Sequence, residues 1–214
     1  MSRKGSPDPG STATTRRRCD RIAPFYDLME VLPEQRYIPW RERLWSMVAG
    51  PRVLEIGVGT GKNMPFYPVG LDITAIDLSP RMVETARVRA QKLKLEIELF
   101  VGDAQNLEFP NSTFDTVVAT CVFCSVPDPH LGLNEIGRVL KPEGKAMFIE
   151  HVHSDAVLLG DFMDLINPIV VRIMGPNINR RTVENIHHSE LSVELIEVLG
   201  LGGIINLIVA CKMP

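Results

Sequence analysis

From residue 52 onward, short apolar segments alternate with segments in which apolar residues recur at helical spacing. The apolar segments are rich in valine, isoleucine and leucine, which is typical of strands that are covered on both faces of a sheet. The strands predicted in this way occupy residues 52–56, 72–77, 96–101, 114–119, 145–150, 191–198 and 204–212.

Predicted helices lie between most of these strands, at residues 80–92, 128–138, 155–174 and 182–189. Strands that alternate with helices favour parallel pairing through right-handed crossovers, so the pattern predicts an α/β fold with a doubly wound, mostly parallel sheet. Only the turn residues Gly-Leu-Gly-Gly at 200–203 separate the last two strands. We therefore expect those two strands to form an antiparallel hairpin.

The first fifty residues follow a different pattern. Residues 1–18 are polar, rich in Ser, Pro, Gly and Thr, and end in three arginines, which predicts a disordered basic tail. Helical spacing follows at 21–32 and at 36–48, where Trp40 and Leu44 share one apolar face. This second helix would pack on the domain, cover an active site or touch a membrane. The predicted division of the chain is a tail at 1–18, an N-terminal helical segment at 19–50 and a domain at 51–214.

Composition and charge narrow the classes of protein. A hydrophobic content of 45% with a net charge of −3 excludes a wholly disordered chain, and 4 Cys are too few for a disulfide scaffold. Residues 1–50 hold nine basic and six acidic side chains, whereas residues 51–214 hold fourteen and twenty. An acidic body is unlike a nucleic-acid binder, so we expect no nucleic-acid partner.

The apolar segments are too short or too interrupted for a signal peptide or a transmembrane helix. The cysteines are then expected to be reduced thiols in a cytoplasmic protein. The basic N-terminal segment adds the expectation of peripheral contact with an anionic membrane at its inner face. Cys121 and Cys124 have no second Cys/His pair at ligand spacing, so we predict no metal site.

Glycines and carboxylates follow the predicted strands at the positions where ligands bind in α/β proteins. Gly57, Gly59 and Gly61 directly follow the first strand, where glycine lets a ligand approach the main chain closely. Asp77 ends the second strand and could accept two hydrogen bonds from a ribose diol. Asp103 ends the third strand and could accept from an exocyclic amine. The G-x-G-x-G spacing matches neither a dinucleotide fingerprint nor a Walker A loop.

Taken together, these motifs resemble those of class I S-adenosylmethionine-dependent methyltransferases. The segments that carry the resemblance are V-L-E-I-G-V-G-T-G at 53–61, I-D-L-S-P at 76–80, G-D-A at 102–104 and R-V-L-K-P-E-G at 138–144. The resemblance covers residues 20–212. It implies a Rossmann-like sheet of seven strands, with the last hairpin supplying the antiparallel strand, and S-adenosylmethionine as the cofactor.

The resemblance also implies a role for particular residues. Glu55 and the glycine loop would flank the methionine end of the cofactor, and Asp77 would hold the ribose. Asp103 and Ala104 would meet the adenine amine, with Leu78 and Met82 against the ring. Thr120 would lie near the sulfonium. The implied cofactor residues are Glu55, Gly57, Gly59, Gly61, Asp77, Leu78, Met82, Asp103, Ala104 and Thr120.

The methyl acceptor is less constrained, because segments outside the cofactor motifs resemble three groups. R-I-A-P-F-Y-D-L-M at 21–29 is similar to ubiquinone and menaquinone C-methyltransferases. Segments at 123–129 and 167–186 resemble bacterial phospholipid N-methyltransferases. C-S-V at 124–126 and E-H-V at 150–152 resemble alkyl thiol methyltransferases. We predict N-methylation of a phospholipid amine such as phosphatidylethanolamine, with a thiol or sulfide acceptor, a quinol acceptor and a non-catalytic cofactor-binding subunit as alternatives.

A phospholipid amine would need a site for its phosphate and a group that removes a proton from its ammonium. Arg180 and Arg181 could bind the phosphate. Tyr26 and His151 are the candidates for orienting the amine or taking its proton. Methyl transfer requires alignment of two reactants and exclusion of water, so neither a catalytic triad nor a metal is expected.

Overall fold

The computed structural model describes residues 5–153, 160, 163–167, 171–172, 177, 179–200 and 203–213. The strands are β1 (Arg52–Ile56), β2 (Asp72–Asp77), β3 (Glu98–Val101), β4 (Phe114–Thr120), β5 (Leu140–His151), β6 (Leu191–Val198) and β7 (Ile205–Lys212). They form one seven-stranded sheet in the order β3-β2-β1-β4-β5-β7-β6.

The sheet is mostly parallel, with an antiparallel C-terminal hairpin. β1 pairs in parallel with β2 and β4, and the outer pairs β2–β3 and β4–β5 are also parallel. β7 runs antiparallel to both β5 and β6. The predicted α/β fold is therefore confirmed. Since β1 lies between β2 and β4, the winding of the chain reverses there, and such a reversal opens a crevice at the carboxyl ends of the strands.

The helices are α1 (Pro9–Met29), α2 (Val31–Ser46), α3 (Pro80–Leu93), α4 (Pro129–Val139) and α5 (Thr182–His187). The start of α3 has a local cause, because the Ser79 side chain accepts a hydrogen bond from the Met82 N–H and proline is the first helical residue. Asp128 caps α4 in the same way through two backbone N–H groups. Both helices begin within one residue of the starts predicted at 80 and 128.

Apolar side chains cover both faces of the sheet. Phe114 and Phe148 belong to the cluster on one face, and Val53 belongs to the cluster on the other. Leu44 and Trp45 of α2 are 0% and 1% exposed in that second cluster, so α2 packs on the domain. None of the helices in the described part of the chain combines the length and the apolar character needed to cross a bilayer.

The N-terminal segment differs from the prediction. α1 begins at Pro9, so the expectation of a disordered tail over 1–18 is wrong for residues 9–18. The Asp8 side chain accepts the Ser11 N–H at 2.8 Å and caps the helix, and the Thr12 hydroxyl contacts Asp103. The segment 9–18 has a Ser- and Thr-rich composition like that of a linker, but these contacts stabilise it as a helix. Most of the helix predicted at 155–174 lies outside the described residues; 163–167 and 171–172 are helical.

Candidate active site

A cavity of about 580 Å³ lies at the carboxyl edge of the parallel strands. Its sheet side is formed by the carboxyl ends of β1 to β5 and the segments that follow them. Its cover comes from the N-terminal helices, with Ile22 and Tyr26 on α1 and Tyr37 and Arg41 on α2. The helical segment at 19–50 therefore helps to enclose the cavity. Eight of the predicted cofactor residues line it: Gly57, Gly59, Asp77, Leu78, Met82, Asp103, Ala104 and Thr120.

Asp77 is fixed by the backbone around it. Its Oδ2 accepts the Gly59 N–H at 2.9 Å and its Oδ1 accepts the Ser79 N–H at 2.8 Å. Burial raises the pKa of Asp77 to about 6, although both N–H groups favour the ionised form. Each carboxylate oxygen keeps lone pairs for further donors, so Asp77 can bind a pair of hydroxyl groups.

The glycine loop is shaped by two residues with positive φ. At Gly57, φ is +70° and an added Cβ would lie 2.4 Å from a Val122 methyl carbon, so only glycine fits beside the β4 loop. At Gly59, φ is +55° and an added Cβ would meet no atom within 4 Å. The backbone at Gly59 therefore borders open space, which allows a ligand to approach its main chain.

Asp103 follows β3 and lines the same cavity. Its Oδ1 accepts the Gln105 N–H at 2.9 Å, and its Oδ2 lies 3.4 Å from the Thr12 hydroxyl of α1. Ala104 and Met82 are buried beside it, at 8% and 4% exposure. The Asp103 carboxylate also accepts the Gln105 side-chain amide, at 3.0 and 3.2 Å, and the apolar residues Ala104 and Met82 line the same cavity. A carboxylate acceptor in a cavity with apolar lining suits a flat ring that carries an amino group.

Glu55 and Gly61 lie behind the cavity wall rather than on it. Glu55 is 1% exposed and accepts hydrogen bonds from the Tyr67 hydroxyl and from the Asn63 amide, the latter at 2.6 Å. Asn63 in turn accepts from Arg41 of α2 at 2.6 Å. Burial raises the pKa of Glu55. This buried network ties α2 to the loop after β1, so Glu55 acts on the site through its neighbours.

The cavity is also lined by Tyr26, Tyr37 and His151, together with Glu30 and Thr120. The Tyr37 hydroxyl lies 3.0 Å from His151 Nε2. Burial lowers the pKa of His151, so its imidazole is neutral at neutral pH. Burial raises the pKa of Tyr26, which keeps its phenol protonated. The structure thus brings the two predicted catalytic residues to one cavity.

The predicted phosphate residues are separated. Arg180 lines a second cavity of about 660 Å³, which shares Arg18 and Asn177 with the first, and donates to the Val126 carbonyl at 2.9 Å. Arg181 is exposed and forms an ion pair with Glu184 at 2.9 Å. Only Arg180 is therefore near the site.

The sequence argument did not assign Glu30, Tyr37, Arg41 and Glu150 to this region. Glu150 is fully buried at the end of β5 and accepts the N–H groups of Val122 and Phe123, which fixes the loop after β4. Burial raises the pKa of Glu150 to about 7. A carboxylate ending an apolar strand was the available signal for Glu150, as it was for Asp77. In α2, the available signal was Arg41, a charged residue that shares a helix face with Tyr37 and Leu44.

These residues fit an adenosyl cofactor. The Asp77 carboxylate faces the cavity with unused lone pairs, and the main chain at Gly59 borders open space. Both features suit a ribose beside a glycine loop. Leu78 and Met82 add apolar surface for the base.

Comparison with known proteins gives the same assignment. A family model described as "Methyltransferase domain" matches residues 54–148. Phosphatidylethanolamine N-methyltransferase of Cereibacter sphaeroides is 41% identical over 108 residues, which are 50% of this chain and 53% of that protein. Thiol S-methyltransferase of Rattus norvegicus is 41% identical over 103 residues, 47% of this chain and 42% of that protein. The chain thus spans about half the length of these two relatives.

Two further similarities extend over more of the chain. Demethylmenaquinone methyltransferase of Renibacterium salmoninarum is 32% identical over 166 residues, which are 75% of this chain and 67% of that protein. The crystal structure of geranyl diphosphate C-methyltransferase from Streptomyces coelicolor has the same fold, with a TM-score of 0.75 at 16% identity, over 98% of this chain and 100% of that chain. Motifs, fold and relatives agree that the chain belongs to the S-adenosylmethionine-dependent methyltransferases.

Proposed function

We propose that this protein transfers the methyl group of S-adenosylmethionine to the amine of a phospholipid such as phosphatidylethanolamine. The observation that carries the proposal is an exposed apolar corner where α1 meets α2. Leu28 and Leu32 are 75% and 79% exposed there, and Met29 is 49% exposed while also lining the cavity. The apolar corner consists of Phe25, Leu28, Met29, Val31 and Leu32.

An apolar surface that continues into a reaction cavity suits an amphiphilic acceptor. Exposed apolar patches mark interaction sites in soluble proteins. The acyl chains of a lipid would stay on the apolar corner or in the bilayer, while the headgroup enters the cavity. Peripheral contact with a membrane is part of the same proposal, and α1 and α2 supply that contact.

The charges around the cavity suit an ethanolamine phosphate headgroup. The Glu30 carboxylate lines the cavity close to Tyr26 and would attract an ammonium. Arg18 and Arg180 line the adjoining cavity and would bind the phosphate. Asp8 and Asp128 line it too, and their carboxylates accept backbone N–H groups at the starts of α1 and α4. Arg181 is not included, since it pairs with Glu184 on the surface.

The cofactor would lie along the sheet edge. In this proposal Asp77 accepts from the ribose hydroxyl groups, and Asp103 and Ala104 meet the adenine amine. Leu78 and Met82 pack on the ring, and the main chain at Gly57 and Gly59 approaches the methionine end with Thr120 nearby. Glu55 and Gly61 support this arrangement from behind the wall.

The chain's own contribution to the chemistry is alignment, proton removal and exclusion of water. Bound S-adenosylmethionine supplies a methyl group activated by positively charged sulfur. The amine must lose a proton before it can attack, and neutral His151 is the base within the cavity. Tyr26 keeps its proton and orients the amine as a hydrogen-bonding group.

A small thiol is the second candidate acceptor. The similarity to the rat thiol S-methyltransferase supports it, at the same 41% identity as the phospholipid enzyme. A thiol has an ordinary pKa of about 8.5, so His151 alone could deprotonate it. The Glu30 carboxylate favours a cationic acceptor over a thiolate, which is why the amine is preferred.

Incubation with methyl-labelled S-adenosylmethionine and vesicles tests the proposal. Vesicles that contain phosphatidylethanolamine should yield N-methylated lipid, and vesicles of phosphatidylcholine alone should not, because that headgroup has no free amine. Methylation of an alkyl thiol at a rate indifferent to vesicles would favour the second candidate. Cofactor binding without product from lipid, thiol or quinol acceptors would indicate a non-catalytic protein.

A further inference from the structure

Tyr37 lines the cavity, and neither the sequence motifs nor the comparison with relatives gives it a role. It lies on α2 and is 9% exposed, with its ring edge-to-face against Trp40 at a centroid distance of 5.0 Å. The Arg41 guanidinium lies 5.5 Å from the ring centroid. Packing therefore holds the phenol in one orientation, and its hydroxyl reaches a strand end on the far side of the cavity.

The hydroxyl of Tyr37 is the partner of a specific imidazole nitrogen. It lies 3.0 Å from His151 Nε2, and the Cys121 thiol lies 3.5 Å from the same oxygen. Burial raises the pKa of Tyr37 and lowers the pKa of His151, so the phenol is protonated and the imidazole is neutral. In the imidazole tautomer that carries its proton on Nδ1, the phenol donates to Nε2 and the basic lone pair of His151 is directed at Tyr37.

We propose that Tyr37 and His151 form a proton relay that deprotonates the methyl acceptor. The acceptor ammonium passes a proton to the Tyr37 oxygen while the Tyr37 hydroxyl proton moves to His151 Nε2. The acceptor nitrogen gains a free electron pair, Tyr37 is regenerated as a neutral phenol, and His151 becomes an imidazolium. The nitrogen–carbon bond then forms as the carbon–sulfur bond breaks, and His151, which is partly exposed, returns its proton to solvent.

The groups that face Tyr37 suit this role. Glu30 raises the pKa of Tyr37 by its negative charge and would also stabilise a nearby ammonium. Cys121 and Cys124 are neutral thiols, because burial raises both of their pKa values. Arg41 is the one cation of α2 on the cavity wall, and its charge is offset by an ion pair with Glu34 at 2.9 Å. The relay rests on the proposed function for its acceptor, but the hydrogen bond itself does not.

Titration of His151 by proton NMR tests the hydrogen bond without any acceptor. Tyr37→Phe keeps the ring and removes the hydroxyl, so the neutral imidazole loses a donor. The pKa of His151 should rise toward its ordinary value of about 6.5 in this variant. His151→Gln identifies the resonance by removing it. Ile38→Val is the matched control on the same helix, because the Ile38 side chain is 40% exposed, and it should leave the His151 titration unchanged. An unchanged His151 titration in Tyr37→Phe would overturn the relay.

Kinetics against pH test the transfer of the proton. At neutral pH, Tyr37→Phe should lower kcat at least tenfold with little change in KM. Its rate should rise about tenfold per pH unit toward the pKa of the amine, since free amine no longer needs the relay. The double variant Tyr37→Phe/His151→Gln should be no slower than His151→Gln alone. Additive losses would show that the two residues act separately. Failure of wild-type protein to methylate the lipid would instead refute the proposed function, with the NMR result still deciding the relay.

Discussion

Burial sets the protonation of individual residues in this site. It raises the pKa of Asp77 to about 6 and that of Glu150 to about 7, and it lowers the pKa of His151. The backbone N–H groups that donate to the two carboxylates lower both pKa values against this effect of burial. Small changes around these residues should therefore alter function over the neutral pH range.

Asp77→Asn should weaken binding of S-adenosylmethionine by about tenfold or more, because the ribose hydroxyls lose a charged acceptor. Wild-type affinity should itself fall as pH drops through about 6, the pKa of Asp77, since protonation removes an acceptor. The variant should lack this pH dependence. Calorimetric titration between about pH 5 and pH 8 measures both effects. A dissociation constant unchanged by the substitution would contradict the placement of the ribose.

The raised pKa of Asp77 makes folding stability depend on pH in the opposite direction to cofactor affinity. The folded pKa of Asp77 is raised above the unfolded value of about 3.9, so the folded state binds the proton more tightly. Without cofactor, Asp77 therefore makes stability fall as pH rises from about 4 to about 6. Cofactor binding should offset this loss, because it is the ionised carboxylate that accepts from the ribose.

The neighbouring residues Arg180 and Arg181 offer a test variant and a matched control for the proposed phosphate site. Arg180 lines the second cavity and contacts the Val126 carbonyl, whereas Arg181 pairs with Glu184 on the surface. Arg180→Gln should raise the apparent KM for a phospholipid acceptor about tenfold, because a charge-assisted phosphate contact is lost. Arg181→Gln should leave it unchanged. Equal effects of the two substitutions would argue against a phosphate at Arg180.

Site residues at the ends of strands could be predicted from the sequence, because each apolar run shows where its strand ends. Asp77, Asp103 and Thr120 end apolar runs, and the structure brings them to one cavity. Tyr37 was not predictable, since 114 residues separate it from His151 and only the packing of α2 joins them. Arg180 and Arg181 are adjacent in sequence but point to different surroundings, which no spacing rule distinguishes.

At the scale of elements, the N-terminal helices complete the cavity. α1 is held over it by polar contacts that are distant in sequence, as when Asp20 accepts the Ser79 hydroxyl at 2.6 Å and Asp27 the Thr60 hydroxyl at 2.6 Å. Ala23 is its one buried residue. With so little apolar burial, the first half of α1 shows no hydrophobic period, and the sequence predicted the helix only from residue 21. The capping signal at Asp8 and Pro9 was present, but composition alone favoured a tail.

The apolar corner between α1 and α2 should bind membranes. Leu32→Ser should lower binding to anionic vesicles about tenfold, since a leucine side chain contributes about 1.5–3 kcal/mol when it is buried in an apolar phase. Val69→Ser is the control, because Val69 is fully exposed outside the apolar corner. Vesicle co-sedimentation measures both variants. Equal binding of Leu32→Ser and wild type would show that this corner does not meet the membrane.

At the scale of the whole molecule, the hydrophobic pattern predicted the strands of the sheet better than it predicted the N-terminal helices that cover the site. β1 and β2 have the predicted bounds, because each is an apolar-rich run between turn residues; β6 also has them, although Ser192, Glu194 and Glu197 interrupt its apolar residues. β5 begins at Leu140 rather than at 145, since the chain before the predicted strand pairs with Phe114 across a register shift. Tertiary pairing, which the local pattern does not encode, lengthened that strand.

Charge is also divided at this scale. The basic first fifty residues form the cover and the apolar corner, and the acidic remainder carries Asp77 and Asp103. A cationic cofactor suits the acidic part, and an anionic membrane suits the basic part. The proposed cofactor site and the proposed membrane contact therefore lie in regions of opposite charge.

A competition between acceptors tests the central claim most directly. The protein is given labelled S-adenosylmethionine with phosphatidylethanolamine vesicles and an alkyl thiol in one reaction, and mass spectrometry follows where the methyl group goes. We expect the label in N-methylated lipid, with less product when Leu32→Ser replaces wild type and an unchanged amount for Val69→Ser. Label found in the thioether, with none in the lipid, would contradict a phospholipid amine as the acceptor.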